Sequence, residues 1–259
     1  MFDIYSLFDR KITSDFRPHK IRGGFLVRVK RSKYLTKIPL KPNEEIAYLS
    51  GVIAGDGSFK VSKRPGIAYP RAVITITNKS KRLLNYINVL LERNFKYQAK
   101  IYRYNTRNVY DMQISNRIIF LYFRRAIKMP IDKSKLKIPR LFSGKRLLKF
   151  FTAGIFDTDG YYSRNIFGIM MSGRNYRFLA QMKKGLSNEY GISFGKITRN
   201  TLYARGKTYY RASMVLRAKS RNDFWKTIPI QHEKYGPGRN RTGGFHRVKV
   251  PQNQRALAF

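Results

Sequence analysis

The feature that most constrains the fold of this chain is an apolar segment that occurs twice and ends each time in Asp-Gly. Residues 49–57 (LSGVIAGDG) align with residues 152–160 (TAGIFDTDG), which places Asp56 and Asp159 at equivalent positions, 103 residues apart. Both copies follow a helix-start signal, Pro42-Asn43-Glu44-Glu45 in one and Ser143-Gly144 in the other. A repeat of this length indicates a fold built from two similar halves.

Alternation of polar and apolar residues predicts strands after each of these helices. In residues 71–77, Ala72, Ile74 and Ile76 alternate with polar side chains, and residues 110–115 and 210–217 repeat the pattern. The fold class predicted is α+β, with two pseudo-symmetric αββαββα repeats, antiparallel sheets and a polar face on each sheet. The predicted domains are a basic N-terminal extension (1–41), a first repeat (42–142), a second repeat (143–229) and a basic C-terminal tail (230–259).

Charge points to a polyanionic partner. The chain has 54 Lys and Arg against 14 Asp and Glu, a formal net charge of +40, and this excess repels itself unless a polyanion such as nucleic acid offsets it. Cysteine is absent, which excludes disulfides and thiolate zinc sites. No apolar run is long enough to cross a membrane and no targeting peptide is evident, so we expect an intracellular protein, in the cytoplasm or nucleoid or in an organelle matrix.

The repeated aspartates stand where a carboxylate is locally unfavourable. Small residues at Gly51, Gly55 and Gly154 allow the two helices to pack closely, so that their C-terminal ends meet. Helix C-termini carry partial negative charge, and two acids brought together there repel each other unless a divalent metal and a phosphate lie between them. One Asp-Gly pair is usually a simple turn, but two in matching context favour a metal site.

The segments Tyr48 to Phe59 and Phe151 to Tyr161 resemble the paired signature of single-chain LAGLIDADG homing endonucleases of the archaeal or organellar intron-encoded type. The resemblance implies a monomer whose sheets form a saddle over double-stranded DNA. It also implies magnesium-dependent hydrolysis of both strands at a long asymmetric site, leaving short 3′ overhangs. Mn²⁺ or Ca²⁺ would substitute for Mg²⁺ in binding.

By motif position, the resemblance makes Asp56 and Asp159 the metal-binding carboxylates, with backbone carbonyls of Gly55 and Thr158 as further ligands. Lys79 matches the position of a catalytic lysine, beside Asn78, and Arg174 is its counterpart in the second half. An arginine binds phosphate but does not readily deprotonate water, so we expect the two strands to be cut at different rates. Asp157, also in the second motif, is interpreted as a supporting group, because only Asp159 aligns with Asp56.

The polar sheet faces are predicted to read DNA, because side chains of a twisted antiparallel ribbon fit the major groove. The candidate DNA-binding residues are Arg71, Thr75, Thr77, Lys100, Tyr102, Arg103, Asp111, Gln113, Ser115, Arg199, Arg211, Ser213 and Arg217.

Two other functions fit the same fold. An RNA-binding intron maturase, whose partner is its own intron RNA, needs the basic surface without the acids. A non-cleaving DNA-binding protein needs neither acid for binding. Retention of both aspartates favours the nuclease over these alternatives.

Overall fold

A computed structural model describes residues 16–29, 35–62, 71–104, 108–163, 166–204 and 207–231 of the chain. Two helices at its centre carry the repeated motif. Helix α1 (Glu44–Gly55) begins at Asn43, whose side chain accepts a hydrogen bond from the Ile46 amide at 2.8 Å. This is the capping predicted from the sequence, and it satisfies an amide that has no partner within the helix.

The first half continues from α1 into a four-stranded antiparallel sheet and its helices. The elements are β4 (Gly57–Ser62), β5 (Arg71–Asn78), α2 (Lys81–Phe95), β6 (Lys100–Arg103), β7 (Tyr110–Ile114) and α3 (Arg117–Leu121). The strand order is β4-β5-β7-β6. Ile74, Ile76 and Met112 are completely buried beneath this sheet, as the alternation predicts.

The second half repeats this order. Its elements are α4 (Lys145–Asp159), β8 (Gly160–Ser163), β9 (Ile166–Ser172), α5 (Tyr176–Tyr190), β10 (Thr198–Ala204), β11 (Lys207–Val215) and α6 (Arg221–Thr227). The strand order β8-β9-β11-β10 is the order of the first sheet. The predicted α+β fold with two matching halves is therefore confirmed.

Glycines allow the backbones of α1 and α4 to touch. A Cβ atom at Gly51 would collide with the carbonyl oxygen of Phe151, and one at Gly154 would collide with the carbonyl oxygen of Tyr48. Contact this close has no room for a side chain, which is why the sequence has glycine at both positions. The close approach predicted from the small residues is thus observed.

The N-terminal extension forms a separate three-stranded sheet. Strands β1 (Phe16–Ile21), β2 (Gly24–Val29) and β3 (Leu35–Pro39) pair in that order. Val27 and Ile38 are completely buried against the first half, and Asn116 donates a hydrogen bond to the Thr36 hydroxyl at 2.9 Å. Among the basic residues of the extension, Lys30, Arg31 and Lys33 fall outside the described residues. The predicted basic tail beyond Gln231 also falls outside them.

None of the helices in the described ranges is both long enough and apolar enough to span a bilayer.

Candidate active site and nucleic-acid interface

The motif helices bring their final residues together. Asp56 directly follows α1, and Asp159 is the last residue of α4. A Cβ atom placed on Gly55 would lie 2.9 Å from Oδ2 of Asp159, so the carboxylate of the second motif reaches the end of the first. Both aspartates are only half-buried. The predicted convergence of one acid from each half is therefore what the structure shows.

Asn78 holds the carboxylate of Asp56. Its side-chain amide donates a hydrogen bond to Oδ2 of Asp56 at 2.6 Å, and its carbonyl oxygen accepts one from the Ser80 amide at 2.8 Å. Because both ends of the Asn78 amide are engaged, the orientation of the amide is fixed and that of Asp56 follows.

In the second half the position that matches Asn78 does not hold an amide side chain. Gly57 pairs with Ile76 and Gly160 pairs with Ile169, so strand register makes Met171 the counterpart of Asn78. Counted back from the helix that follows, the counterpart is Gly173, as predicted from the sequence. We take Met171 as the counterpart of Asn78 at the site. Gly57 and Gly160 directly follow Asp56 and Asp159, so the strand register counted from these glycines fixes which residue lies beside each aspartate. The two additional residues of the second half lie in the turn Gly173–Asn175.

Lys133, which the sequence did not single out, contacts the centre of the site. Its ammonium group donates a hydrogen bond to the carbonyl oxygen of Gly55. Burial lowers the pKa of Lys133, and the charges of Asp159 and Asp56 oppose that shift. Lys133 lies in the connector between α3 and α4, within the predicted first repeat (42–142). The sequence similarity between the two halves does not extend to this connector, so comparing the halves could not identify the lysine.

A local turn positions this lysine. Asp132 accepts a hydrogen bond from the Ser134 amide at 2.8 Å and another from its hydroxyl at 2.7 Å. These bonds lower the pKa of Asp132, with smaller contributions from the charges of Lys135 and Arg174. The turn therefore lies between Gly55 of the first half and Arg174 of the second.

Lys79 and Arg174, predicted as catalytic cations, are both exposed. Lys79 adjoins Asn78 in the chain, and Arg174 faces the turn that carries Lys133. Lys133, by contrast, contacts the site through its hydrogen bond to the carbonyl oxygen of Gly55.

Asp157 points into the helix interface and is completely buried. Its Oδ2 accepts hydrogen bonds from the Tyr48 hydroxyl at 2.6 Å and from the Gln231 amide at 2.8 Å. Its charge also helps to raise the pKa of Tyr86 to about 12, after burial and the charge of Glu45. These contacts tie α4 to α1 and to the segment after α6, which is the geometry of a supporting group.

The centre offers the ligands that a hard divalent cation prefers. Two carboxylates and the carbonyl oxygen of Gly55 lie together, and the ammonium of Lys133 shows that the position accommodates a positive charge. The Thr158 hydroxyl is bonded to its own helix, to the carbonyls of Gly154 and Ile155, which leaves its backbone carbonyl as the donor to consider. Within the described ranges no cluster of three His, Cys, Asp or Glu side chains that could hold a metal ion is present.

The first sheet places most of its predicted DNA-binding residues on one face, which we call the first polar face, although Thr75 and Asp111 are buried there. Register places Ser58, Thr75, Gln113 and Lys100 in one row and Thr77, Asp111 and Tyr102 in the next. Arg71 and Ser115 extend the same alternation. Asp111 is buried and accepts a hydrogen bond from the Thr77 hydroxyl at 2.6 Å.

Three predictions for the sheet faces are corrected. Arg103 pairs with Tyr110 and Arg199 with Ala212, so both lie in register with the opposite, apolar side of their sheets. The guanidinium of Arg199 stacks on the Tyr176 ring at 4.1 Å, an arrangement that stabilises the charge against helix α5. The alternation in residues 210–217 predicts Tyr210 on the apolar face with Ala212 and Met214, but Tyr210 is 67% exposed.

The second polar face is smaller. Arg211 pairs with Asn200 and Ser172, and Ser213 pairs with Thr198 and Met170. Arg217 lies beyond the end of β11, where its amide bonds to the carbonyl of Ser193.

Comparison with known proteins identifies this architecture. Residues 43–128, which span the first half, match the model of the LAGLIDADG-like domain. Residues 43–128 thus resemble a LAGLIDADG-like domain, and the chain has the fold of the homing endonuclease I-DmoI.

Structures of the homing endonuclease I-DmoI are among those similar to this chain. A mesophilic variant of I-DmoI has a TM-score of 0.55 and 20% sequence identity over 74% of this chain and 95% of its own. The complex of I-DmoI with DNA and Mn has a TM-score of 0.55 and 23% identity over 73% and 98%. The complex of I-DmoI with DNA and Ca has a TM-score of 0.54 and 19% identity over 74% and 95%.

Proposed function

We propose that this protein is a site-specific DNA endonuclease that makes a metal-dependent double-strand break in a long asymmetric target and leaves short 3′ overhangs. The observation that carries the proposal is the convergence of Asp56 and Asp159, one from each half, between two polar sheet faces of a strongly cationic chain. Structures of I-DmoI with DNA and with Mn, Ca or Mg support the same partner and cofactor class.

The residues of the site have distinct roles in this reaction. Asp56 and Asp159, with backbone carbonyls of Gly55 and Thr158, would hold Mg²⁺, for which Mn²⁺ or Ca²⁺ would substitute in binding. A bound divalent cation would supply Lewis-acid stabilisation of charge at the phosphodiester. Asn78 fixes Asp56, and Lys133 places a positive charge where negative charge develops on phosphate.

Cleavage should depend on both acids. We expect Asp56→Asn and Asp159→Asn each to abolish double-strand cleavage while site-specific DNA binding is largely retained, because the amide keeps the shape and loses the charge. The substrate is the duplex spanning the junction that an intron containing this coding frame would interrupt. Cleavage is followed by gel electrophoresis with Mg²⁺, and binding is measured with Ca²⁺.

Asp223→Asn is the matched control, because Asp223 is an exposed acid on α6, in a different part of the second half. It should cut like the wild type. Undiminished cutting by either motif variant would refute the assignment. Binding without cutting by the wild type would favour the non-cleaving DNA-binding protein, and binding of intron RNA alone would favour the maturase.

A further inference from the structure

We propose that the N-terminal sheet is an additional DNA-binding surface that contacts phosphates of the duplex beyond the first polar face. The inference rests on the proposed function only in taking DNA as the ligand, and it concerns an element outside the two repeats.

The two faces of this sheet differ in character. Phe16, Val27, Thr36 and Ile38 are buried on the side that packs on the first half. The opposite side carries Arg17, His19, Arg28 and Lys37, of which the first three are exposed. We call these four residues the basic face. One side of the sheet therefore packs mainly on the first half, and the other side exposes cations to solvent.

Like charges lie close together on the basic face and destabilise the sheet. Arg17 of β1 lies directly opposite Arg28 of β2 in the register. Directly opposed residues of antiparallel strands have neighbouring Cβ atoms, and like charges there are destabilising. Lys37 adds a third cation on the same side, one row away. A phosphate backbone that lies across this face would convert repulsion into attraction.

The composition of the segment favours a polyanion over a mixed-charge partner. Between residues 16 and 41 the sequence contains nine Lys and Arg and no Asp or Glu. A surface made to meet another protein usually mixes both signs and carries aromatic anchors, whereas phosphate contacts need only cations.

The sheet adjoins the outer end of the first polar face. Ser115, on that face, is followed by Asn116, which bonds to Thr36 at 2.9 Å, and by Arg117, whose guanidinium lies 5.9 Å from the centre of the Phe16 ring. Phe16 precedes Arg17 in β1. The end of the basic face that holds the opposed arginines thus continues the surface that begins on the first sheet, at the end remote from Asp56.

The first test is the salt dependence of DNA binding. The triple variant Arg17→Gln/Arg28→Gln/Lys37→Gln is compared with the wild type on a ~40-bp duplex in EDTA, because each phosphate contact contributes roughly 0.9 to the slope of log K against log salt. We expect the slope to fall by about 2 to 3. The melting temperature of the variant should be equal or higher, since the opposed charges are gone.

Lys184→Gln/Lys219→Gln/Lys226→Gln is the matched control, with the same loss of charge at exposed positions of the second half. Its slope should remain near that of the wild type. Equal slopes for the two triple variants, or a loss confined to duplex RNA, would overturn the proposal.

The second test maps proximity, using the absence of cysteine in the chain. His19→Cys labelled with an iron–EDTA reagent should cleave bound duplex DNA, whereas Lys184→Cys with the same label should not. Intact DNA with the His19→Cys conjugate would refute the contact. Neither test requires nuclease activity. A wild type that binds DNA but never cuts it would therefore refute the proposed function, whereas the proposal for the N-terminal sheet would still be decided by these two tests.

Discussion

At the scale of single residues, the candidate centre combines groups that the two halves share with groups that only one half has. Asp56 and Asp159 are equivalent by motif and by structure. Asn78 is unmatched, since Met171 takes its place in the strand register, and Lys133 comes from the connector. Internal repetition could therefore predict the acids and not the lysine.

The contact of Lys133 leads to a prediction for catalysis. Lys133→Met keeps the aliphatic stem and removes the cation, so we expect cleavage to slow by about 10²-fold, the usual effect of losing one preorganised group that stabilises charge in the transition state. DNA affinity should change little. Single-turnover cleavage and a binding titration in Ca²⁺ measure the two quantities.

Lys135→Met is the control for charge, because Lys135 is exposed on the same turn. If both variants cut equally well, the role given to Lys133 is wrong.

At the scale of helices and strands, the sequence predicted what depends on local pattern. Asn43 and the acids after it specify the start of α1, and alternation identifies β5 and β7 with the correct faces. The pattern misleads in the second sheet, where Arg199 stacks on Tyr176 and Tyr210 is exposed, because packing there is decided by neighbours distant in sequence. The three-stranded sheet of the N-terminal extension was not predicted for the same reason, because it packs on surfaces of the first half that are distant in sequence.

The glycines of the helix pair give a prediction for stability. Gly51→Ala should lower the free energy of unfolding by on the order of 1–3 kcal/mol, because the new Cβ meets the backbone of α4 and the helices must separate. Thermal denaturation followed by circular dichroism measures the change.

Gly185→Ala in α5 is a matched substitution. Its Cβ would lie 3.1 Å from Cδ2 of Leu148, a side chain that can shift, and alanine is the better helix former by roughly 1 kcal/mol. It should leave stability unchanged or raise it. Equal losses from the two substitutions would contradict the tight contact at Gly51.

At the scale of the whole molecule, the two halves match in fold and differ in chemistry. Both sheets have the same strand order, but Asn78, which donates to Asp56, has Met171 as its counterpart in the strand register. Such a protein would suit the long asymmetric DNA target that we propose, because each half would meet a different sequence.

This inequality predicts unequal cutting of the two strands. With supercoiled plasmid as substrate, the nicked circle should accumulate before the linear product appears. Labelling each strand separately should show one that is consistently cut first. Simultaneous loss of both strands at all times would show that the asymmetry has no kinetic effect.

The bond between the Gln231 amide and buried Asp157 links the helix pair to a residue synthesised 74 positions later. A nascent chain that still lacks Gln231 has a buried carboxylate with one of its donors missing, which is costly to bury. We therefore expect the pairing of the two motifs to reach its full stability only after Gln231 has been synthesised.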